Sequence, residues 1–260
     1  MSHWDRPGTA RIAALRPFFV AVLIRLALLF TGGAALAQDI DASSYDALLH
    51  LNVKDGVVNY AGFQDSTPFK DYVAALAVPA ELPATAEQVA YNINAYNALA
   101  IQGILDGLSP SSLLGRLRYF KLRKWPLDGR GISLYDLEHA VLRPLGEPRI
   151  HFAIVCASKS CPFLRSEAYT ATRLDQQLDA QARAFVNDPS RNRFDKTTRT
   201  AHLSEIFKWF DEDFRGAGSV QKYLAKYVSD ADIATDLAQN GYNVEWIPYD
   251  WTLNGTPPRS

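Results

Sequence analysis

The order of helix and strand patterns is the feature that most limits the fold of this chain. These patterns alternate without the regular strand–helix–strand rhythm of a doubly wound parallel sheet. Helical periodicity marks residues 87–105, 134–143, 173–187, 205–214 and 220–228. Short strand patterns mark residues 150–156, 193–195, 200–203 and 243–247. We therefore predict an α+β fold in which several helices surround a small, mostly antiparallel sheet.

The first 37 residues have the pattern of a secretory signal peptide. Three arginines precede an apolar run over residues 18–30, which only Arg25 interrupts, and Ala35-Leu36-Ala37 forms a small-x-small cleavage site. The run is shorter than the roughly 20 apolar residues that span a bilayer. We therefore predict a periplasmic or secreted protein without a membrane span after cleavage, with one compact domain over residues 38–254 and a tail over residues 255–260.

The charge balance limits the classes of partner. The chain has 27 basic and 28 acidic side chains and a formal net charge of -1, so no summed positive field attracts it to nucleic acid or to anionic lipid. Motifs for nucleotide binding, zinc-dependent proteolysis and the common serine hydrolases are absent. The sequence therefore predicts no cofactor and no nucleic-acid partner, and leaves a small molecule or a peptide as the expected ligand.

The helix predicted over residues 87–105 carries three asparagines. Asn92 and Asn97 fall at the borders of its apolar face, and Asn94 lies between them in the sequence. Partly buried amides need hydrogen-bond partners. These side chains are therefore candidates for binding a ligand or an oxyanion, although amides at such positions more often bind loop backbone.

The helix predicted over residues 134–143 places a carboxylate among apolar side chains. Glu138 lies within the apolar stripe of this helix, and His139 lies on its flank. A carboxylate on a core face needs a partner, such as Arg143 or Arg149, or a raised pKa. Together with His151 in the following strand pattern, these residues are candidates for acid–base catalysis, and a structural ion pair is the alternative.

Five motifs follow one another along the chain. They are YNINAYN at residues 91–97, LEHAVLR at 137–143, PRIHFA at 148–153 with Cys156 and SCP at 160–162, LSEIFKWF at 203–210 with DF at 213–214, and YDW at 249–251. In this order they resemble the domain-of-unknown-function 547 (DUF547) family over roughly residues 45–254. The resemblance implies a shared fold and site, by analogy papain-like or transglutaminase-like, but no reaction.

Two details accompany this resemblance. Relatives often have glycine after the first cysteine, where this chain has Ala157, so we expect the turn there to avoid a left-handed backbone. Tyr249, Asp250 and Trp251 are expected at the rim of the site, where Asp250 can accept a hydrogen bond and the two rings can line a cleft.

The only two cysteines, Cys156 and Cys161, lie five positions apart. An oxidising compartment favours a disulfide between them. The protein would then be a ligand-binding or structural module. A third reading has both thiols free to bind a soft metal or metalloid together with a histidine, but the spacing fits no standard zinc site, so we assign no metal ligands.

The alternative is a thiol-dependent hydrolase or acyl-transferase. Cys156 would attack, His139 or His151 would take its proton, and Glu138 or Asp250 would orient the imidazole. A strand over residues 150–156 would prevent His151 and Cys156 from forming a dyad, because residues five apart in a strand point to opposite faces.

Overall fold

Short helices and shorter strands follow one another along the chain. A computed structural model describes residues 41–80, 82 and 85–259, and the predicted signal peptide lies outside them. The helices are α1 Ser43–Asn52, α2 Tyr60–Phe63, α3 Thr67–Ala75, α4 Thr85–Leu105, α5 Leu113–Arg116, α6 Leu134–Asp136, α7 Leu174–Val186, α8 Ile206–Trp209, α9 Asp211–Phe214, α10 Val220–Leu224 and α11 Ala231–Ala238. The strands are β1 Val53–Lys54, β2 Val57–Asn59, β3 Trp125–Leu127, β4 Arg130–Ile132, β5 Arg193–Asp195, β6 Thr200–Ser204, β7 Asn243–Ile247 and β8 Gly255–Thr256.

Within the described residues, the strands form three small sheets, two of them of mixed direction. β1 and β2 are antiparallel and β8 is parallel to β2, while β3 and β4 form a separate hairpin. β5 and β6 form the predicted antiparallel hairpin, and β7 runs parallel to β6. The α+β class is therefore confirmed, although two of the strand pairings are parallel.

The end of the chain is bonded to the domain. Residues 255–260 have the sequence of a tail, yet Gly255 and Thr256 form β8 against β2. A side chain at Gly255 would not fit, because its Cβ would lie 1.9 Å from the carbonyl oxygen of Val58. The backbone N–H of Arg259 also donates to Oε1 of Gln64 at 2.7 Å. Backbone pairing of this kind leaves no pattern in the sequence.

Most of the predicted helices are present, with some breaks. α4 and α7 match the predicted spans closely. The helix expected over residues 134–143 begins as α6, continues as a π-helical turn over Leu137–Leu142 and ends as a 3-10 turn over Arg143–Leu145. Residues 205–214 form α8 and α9, with a break at Phe210. Among the described residues, no helix is both long enough and apolar enough to cross a membrane.

The prediction of a strand over residues 150–156 is wrong. Pro148–Phe152 form a 3-10 helix, and the residues after it follow an irregular path. Two backbone groups at the start of this path are bonded to a side chain of α4 and not to a neighbouring strand. Asn97 donates to the carbonyl oxygen of Ala153 at 3.0 Å and accepts from the N–H of Val155 at 2.8 Å. An apolar run alone cannot distinguish this arrangement from a buried strand.

Four buried amides hold the irregular chain between residues 152 and 170. Besides Asn97, Asn94 of α4 bonds to both backbone groups of Tyr169, at 2.8 and 2.9 Å. From α7, Gln181 donates to the carbonyl oxygen of Phe152 at 3.0 Å, and Gln177 bonds to backbone groups of residues 168 and 170. Buried backbone groups without partners would cost free energy, so these side chains replace the missing strand partner.

Two clusters of apolar side chains form the core, and the 3-10 helix Pro148–Phe152 joins them. Ile150 belongs to the cluster built around α1, α3 and α4. Phe152 belongs to the second cluster, where it contacts Phe185, Phe207 and Phe214 at ring distances of 5.0 to 5.9 Å. His151, between them in the sequence, is also buried. The position of His151 is therefore fixed by core packing on both sides.

The backbone at Ala157 also differs from the expectation. Ala157 has a φ of 58°, which is the left-handed conformation that we expected the turn to avoid. The next turn is tied to the C-terminal segment, because Asn254 N donates to the carbonyl oxygen of Ala157 at 3.2 Å and Lys159 N donates to that of Thr252 at 2.8 Å. These tertiary bonds impose the strained conformation on alanine.

We expect Asn97→Ala to lower the free energy of unfolding by about 2–4 kcal/mol, because it leaves a buried N–H and a buried carbonyl without partners. Asn92→Ala is the matched control. The Asn92 side chain is also buried, but it donates only to Gln88 within α4, so a loss of about 1 kcal/mol or less is expected. Urea unfolding of both variants measures this, and equal losses would contradict the role of Asn97.

Candidate functional site

A cleft with a volume of about 610 Å³ lies on one side of the domain, and its wall is mostly apolar. The arginine, lysine, glutamate and histidine side chains that reach it are Arg116, Lys121, Glu138 and His151. Both π-helical turns of the described chain, Leu117–Leu122 and Leu137–Leu142, contribute to the wall. Turns of this kind are frequent at functional sites, and cavities of this size accommodate small organic molecules.

Asp213, at the end of α9, connects Arg143 with His151. The guanidinium of Arg143 donates to both carboxylate oxygens, at 2.7 and 2.9 Å, and Nε2 of His151 lies 2.7 Å from Oδ2. Burial acts to raise the pKa of Asp213, but the hydrogen bonds from His151 and Arg143 outweigh it and hold this pKa well below its usual range. Asp213 is therefore ionised at neutral pH.

The ionised Asp213 fixes the tautomer of His151. A carboxylate only accepts hydrogen bonds, so Nε2 must carry the proton of this contact. Burial lowers the pKa of His151, with partial compensation from Asp213, so the ring is neutral at neutral pH and Nδ1 carries a lone pair. Nδ1 is buried without a hydrogen-bond partner in the described chain. The ring is held flat against Phe210, with centroids 4.0 Å apart and planes at 20°.

A second carboxyl group, that of Glu138, lies near the free nitrogen of His151. Its Oε1 lies 3.7 Å from Nδ1, which is too long for a hydrogen bond, and its side chain is 12% exposed. Burial raises the pKa of Glu138 to about 8, with the charge of Asp213 raising it further and that of Arg143 lowering it. At neutral pH the cleft therefore presents a protonated carboxyl as donor beside an imidazole lone pair as acceptor. This confirms the expectation from the sequence that Glu138 needs a partner or a raised pKa.

The two cysteines form a disulfide at the other end of this wall. Cys156 and Cys161 are bonded to each other, and both line the cleft. The backbone N–H of Cys156 donates to Sγ of Cys161 at 2.8 Å. The disulfide expected from the sequence is confirmed. In this form neither sulfur is a thiolate, so neither is a nucleophile or a soft-metal ligand. Within residues 41–80, 82 and 85–259, no three His, Cys, Asp or Glu side chains are grouped as a metal site requires.

The C-terminal segment supplies two aromatic residues to the cleft. The hydroxyl of Tyr249 lies 3.1 Å from Sγ of Cys156, and burial raises its pKa well above the usual range. Trp251 stacks on Trp209 with centroids 5.8 Å apart, and the guanidinium of Arg116 lies 4.6 Å from the Trp251 ring. Both rings therefore line the cleft.

The other residues singled out from the sequence lie away from the cleft wall. His139 is stacked on Tyr135, and its Nδ1 bonds to the carbonyl oxygen of that residue at 3.0 Å. Asp250 accepts from the backbone and hydroxyl of Thr252, at 2.9 and 2.6 Å, and so stabilises its own turn. The amides of Asn92, Asn94 and Asn97 bond to backbone, as described above.

The structure also explains how His151 and Cys156 come to share one cleft. The geometric objection to their pairing assumed a strand, and the 3-10 helix removes it because the chain turns between the two residues. Asp213, the partner of His151, was not singled out, although it lies in a motif that carries the resemblance. The sequence feature that could have pointed to Asp213 is its position as an acidic residue among the aromatic side chains of residues 207–214.

The raised pKa of Glu138 gives a prediction about stability. Between the usual pKa of a glutamate, 4.5, and the raised pKa of about 8, the unfolded carboxyl is ionised while the folded one keeps its proton. The contribution of Glu138 to the free energy of unfolding therefore falls as the pH rises, by up to about 1.4 kcal/mol per pH unit. Glu138→Gln has no proton to lose, so it should become progressively more stable than the wild type from about pH 5 to about pH 8.

Urea unfolding at several pH values checks this prediction. Glu212→Gln, at an exposed position on α9, is the control, and its difference from the wild type should hardly change over the same range. A pH-independent difference for Glu138→Gln would contradict the raised pKa.

Comparison with known proteins supports the resemblance found in the sequence. No curated protein and no solved structure gives a significant match to this chain. A family model does match, and its description is "Protein of unknown function, DUF547". The match covers residues 79–186, which include α4, α7, Glu138, His151 and both cysteines, whereas Asp213 and Tyr249-Asp250-Trp251 lie beyond it. Over residues 79–186, the chain is therefore similar to the DUF547 family.

Proposed function

We propose that the cleft binds a small, mainly apolar molecule through one polar group. The observation that carries this proposal is the free Nδ1 of His151, which is buried without a partner at a cleft wall that also contains Glu138. Buried polar atoms normally have hydrogen-bond partners. A ligand that bonds to this nitrogen would supply the missing one.

The protonation states select the polar group. The protonated carboxyl of Glu138 donates and the lone pair of His151 accepts, so the complementary ligand has an acceptor and a donor on neighbouring atoms. A primary amide or an un-ionised carboxyl group has this pattern. The rest of the ligand would contact Trp209, Trp251 and Phe120, whose rings supply apolar surface.

A pair of octanamide ligands tests this proposal. Octanamide has both the carbonyl acceptor and the N–H donor, whereas N,N-dimethyloctanamide keeps the carbonyl and lacks the donor. We expect octanamide to bind at least about tenfold more tightly than N,N-dimethyloctanamide. This difference corresponds to one hydrogen bond between uncharged groups at a buried acceptor. Isothermal titration calorimetry, or quenching of the fluorescence of Trp209 and Trp251, measures both affinities.

Variants locate the site. Glu138→Leu should weaken the binding of both amides about tenfold, because both carbonyl groups lose their donor. Trp251→Ala should also weaken both, whereas Trp246→Ala, in β7 and away from the cleft, should change neither. Equal affinities for the two amides, or no saturable binding, would overturn the proposal.

A thiol-dependent hydrolase or acyl-transferase is the second candidate. The specific observation in its favour is that Cys156 and His151 line one cleft while Asp213 orients the imidazole from the far side. After reduction of the disulfide by a dithiol, Cys156 would lose its proton to Nδ1 of His151. The sulfur would then form a bond to the substrate carbonyl carbon, and His151 would return the proton to the leaving group.

Two single variants separate this candidate from simple binding. Cys161→Ser leaves Cys156 free without added reductant, and Cys156→Ser leaves Cys161 free. With p-nitrophenyl hexanoate, we expect Cys161→Ser alone to release a burst of p-nitrophenol and to gain one hexanoyl group by mass. If His151 assists, the burst rate should level off below pH about 8.5, the pKa of an ordinary thiol. No acylation of Cys161→Ser would rule out this candidate.

We also propose that the protein is exported. The arginine-rich start, the apolar run over residues 18–30 and the Ala35-Leu36-Ala37 site support export. The disulfide is consistent with an oxidising compartment, such as the periplasm or the extracellular space.

A further inference from the structure

One segment of the surface exposes four leucines. Leu113, Leu114, Leu117 and Leu122 are 79%, 55%, 43% and 62% exposed, and they lie in α5 and the π-helical turn that follows it. Tyr119 anchors the segment: it is fully buried, and its hydroxyl donates to the carbonyl oxygen of Ala100 in α4 at 2.7 Å. The packing of Tyr119 thus fixes the segment in a position that leaves the four leucines exposed. A cluster of exposed apolar side chains of this kind marks an interaction surface.

The same segment is strongly basic. Residues 107–127 contain five basic side chains and no acidic one. Arg123 and Lys124 pair with Asp106 and Asp136. In the part of the chain that the structure describes, no carboxylate is paired with Arg116, Arg118 or Lys121. The net charge of -1 for the whole chain therefore conceals a local positive surface, which the overall charge balance could not predict.

This surface also forms one side of the mouth of the cleft. Leu113, Leu114 and Leu117 line the cleft although they are exposed. Trp209, at 44% exposed, and Tyr135, at 36%, lie on the cleft wall as well. Leucines, a tryptophan, a tyrosine and basic side chains on one surface are the composition of segments that lie in a membrane interface.

We propose that this leucine- and arginine-rich surface docks on an anionic phospholipid bilayer. The leucines would enter the outer acyl region, and Arg118 and Lys121 would contact the lipid phosphates. Charge complementarity selects the partner, because the surface has unpaired basic groups and an anionic bilayer attracts them. The cleft would then open toward the bilayer. This docking goes beyond the ligand binding proposed above and does not depend on it.

Vesicle binding tests the proposal with a variant outside the cleft wall. Neither Arg118 nor Leu122 lines the cleft, so Arg118→Ser/Leu122→Ser removes one charge and one apolar group from the surface alone. The matched control is Leu51→Ser/Arg193→Ser, which changes an exposed leucine and an exposed arginine elsewhere. All chains are prepared in the same form, so any contribution of the first 40 residues is the same in each.

Cosedimentation with phosphatidylglycerol and with phosphatidylcholine vesicles gives the readout. We expect the wild type and the control to bind phosphatidylglycerol more tightly, with an affinity that falls as salt is added. Arg118→Ser/Leu122→Ser should lose at least about fivefold in affinity, the effect of one basic group near an anionic surface. Its octanamide affinity should be unchanged, which separates a failure of docking from a failure of ligand binding.

Three outcomes would overturn the docking proposal. The first is equal binding to the two lipids, and the second is an equal loss in the control variant. The third is that the wild type is a dimer in analytical ultracentrifugation whereas Arg118→Ser/Leu122→Ser is a monomer. The surface would then be covered by a second copy of the chain.

Discussion

The structure depends on how the backbone between residues 152 and 170 satisfies its hydrogen bonds without a sheet. This path is buried, so each of its N–H and carbonyl groups needs a partner. Side-chain amides from α4 and α7 supply several of these partners, with Asn97 bonding on both sides of Ile154 and Gln181 bonding to Phe152. Because the path is irregular, it can carry His151 and Cys156 to one cleft, which a strand could not do.

The electrostatics of the site follow from different degrees of burial of two carboxylates. Asp213 has a cationic partner in Arg143 and a donor in His151, so it remains ionised. Glu138 is more deeply buried and makes no hydrogen bond to either, so it keeps its proton at neutral pH. His151 between them is left with one bonded and one free nitrogen. An apolar cleft with one donor and one acceptor is an arrangement suited to recognising a single polar group.

Periodicity predicted the long elements and failed where tertiary contacts replaced local ones. α4, α7, the β5–β6 hairpin and β7 follow from apolar spacing and turn residues. The apolar run of residues 150–156 predicted a strand. A buried segment has such a run whether its backbone bonds to a neighbouring strand or to side chains, so the run could not distinguish the two. Ala157 has a left-handed backbone for the same kind of reason, since bonds to residues 252 and 254 outweigh its local preference. The net charge likewise concealed the basic surface around Arg118.

The sequence by itself determined the α+β class, the family resemblance and the need of Glu138 for a partner or a proton, and it favoured the disulfide over free thiols. These depend on residue type and on spacing along the chain, which are local quantities. Only the tertiary structure decided that Asp213, 62 residues after His151, is the partner of that histidine. It also decided that His139 and Asp250 lie away from the cleft and that exposed leucines border its mouth. These outcomes depend on which distant surfaces pack together, and no local pattern in the sequence records that choice.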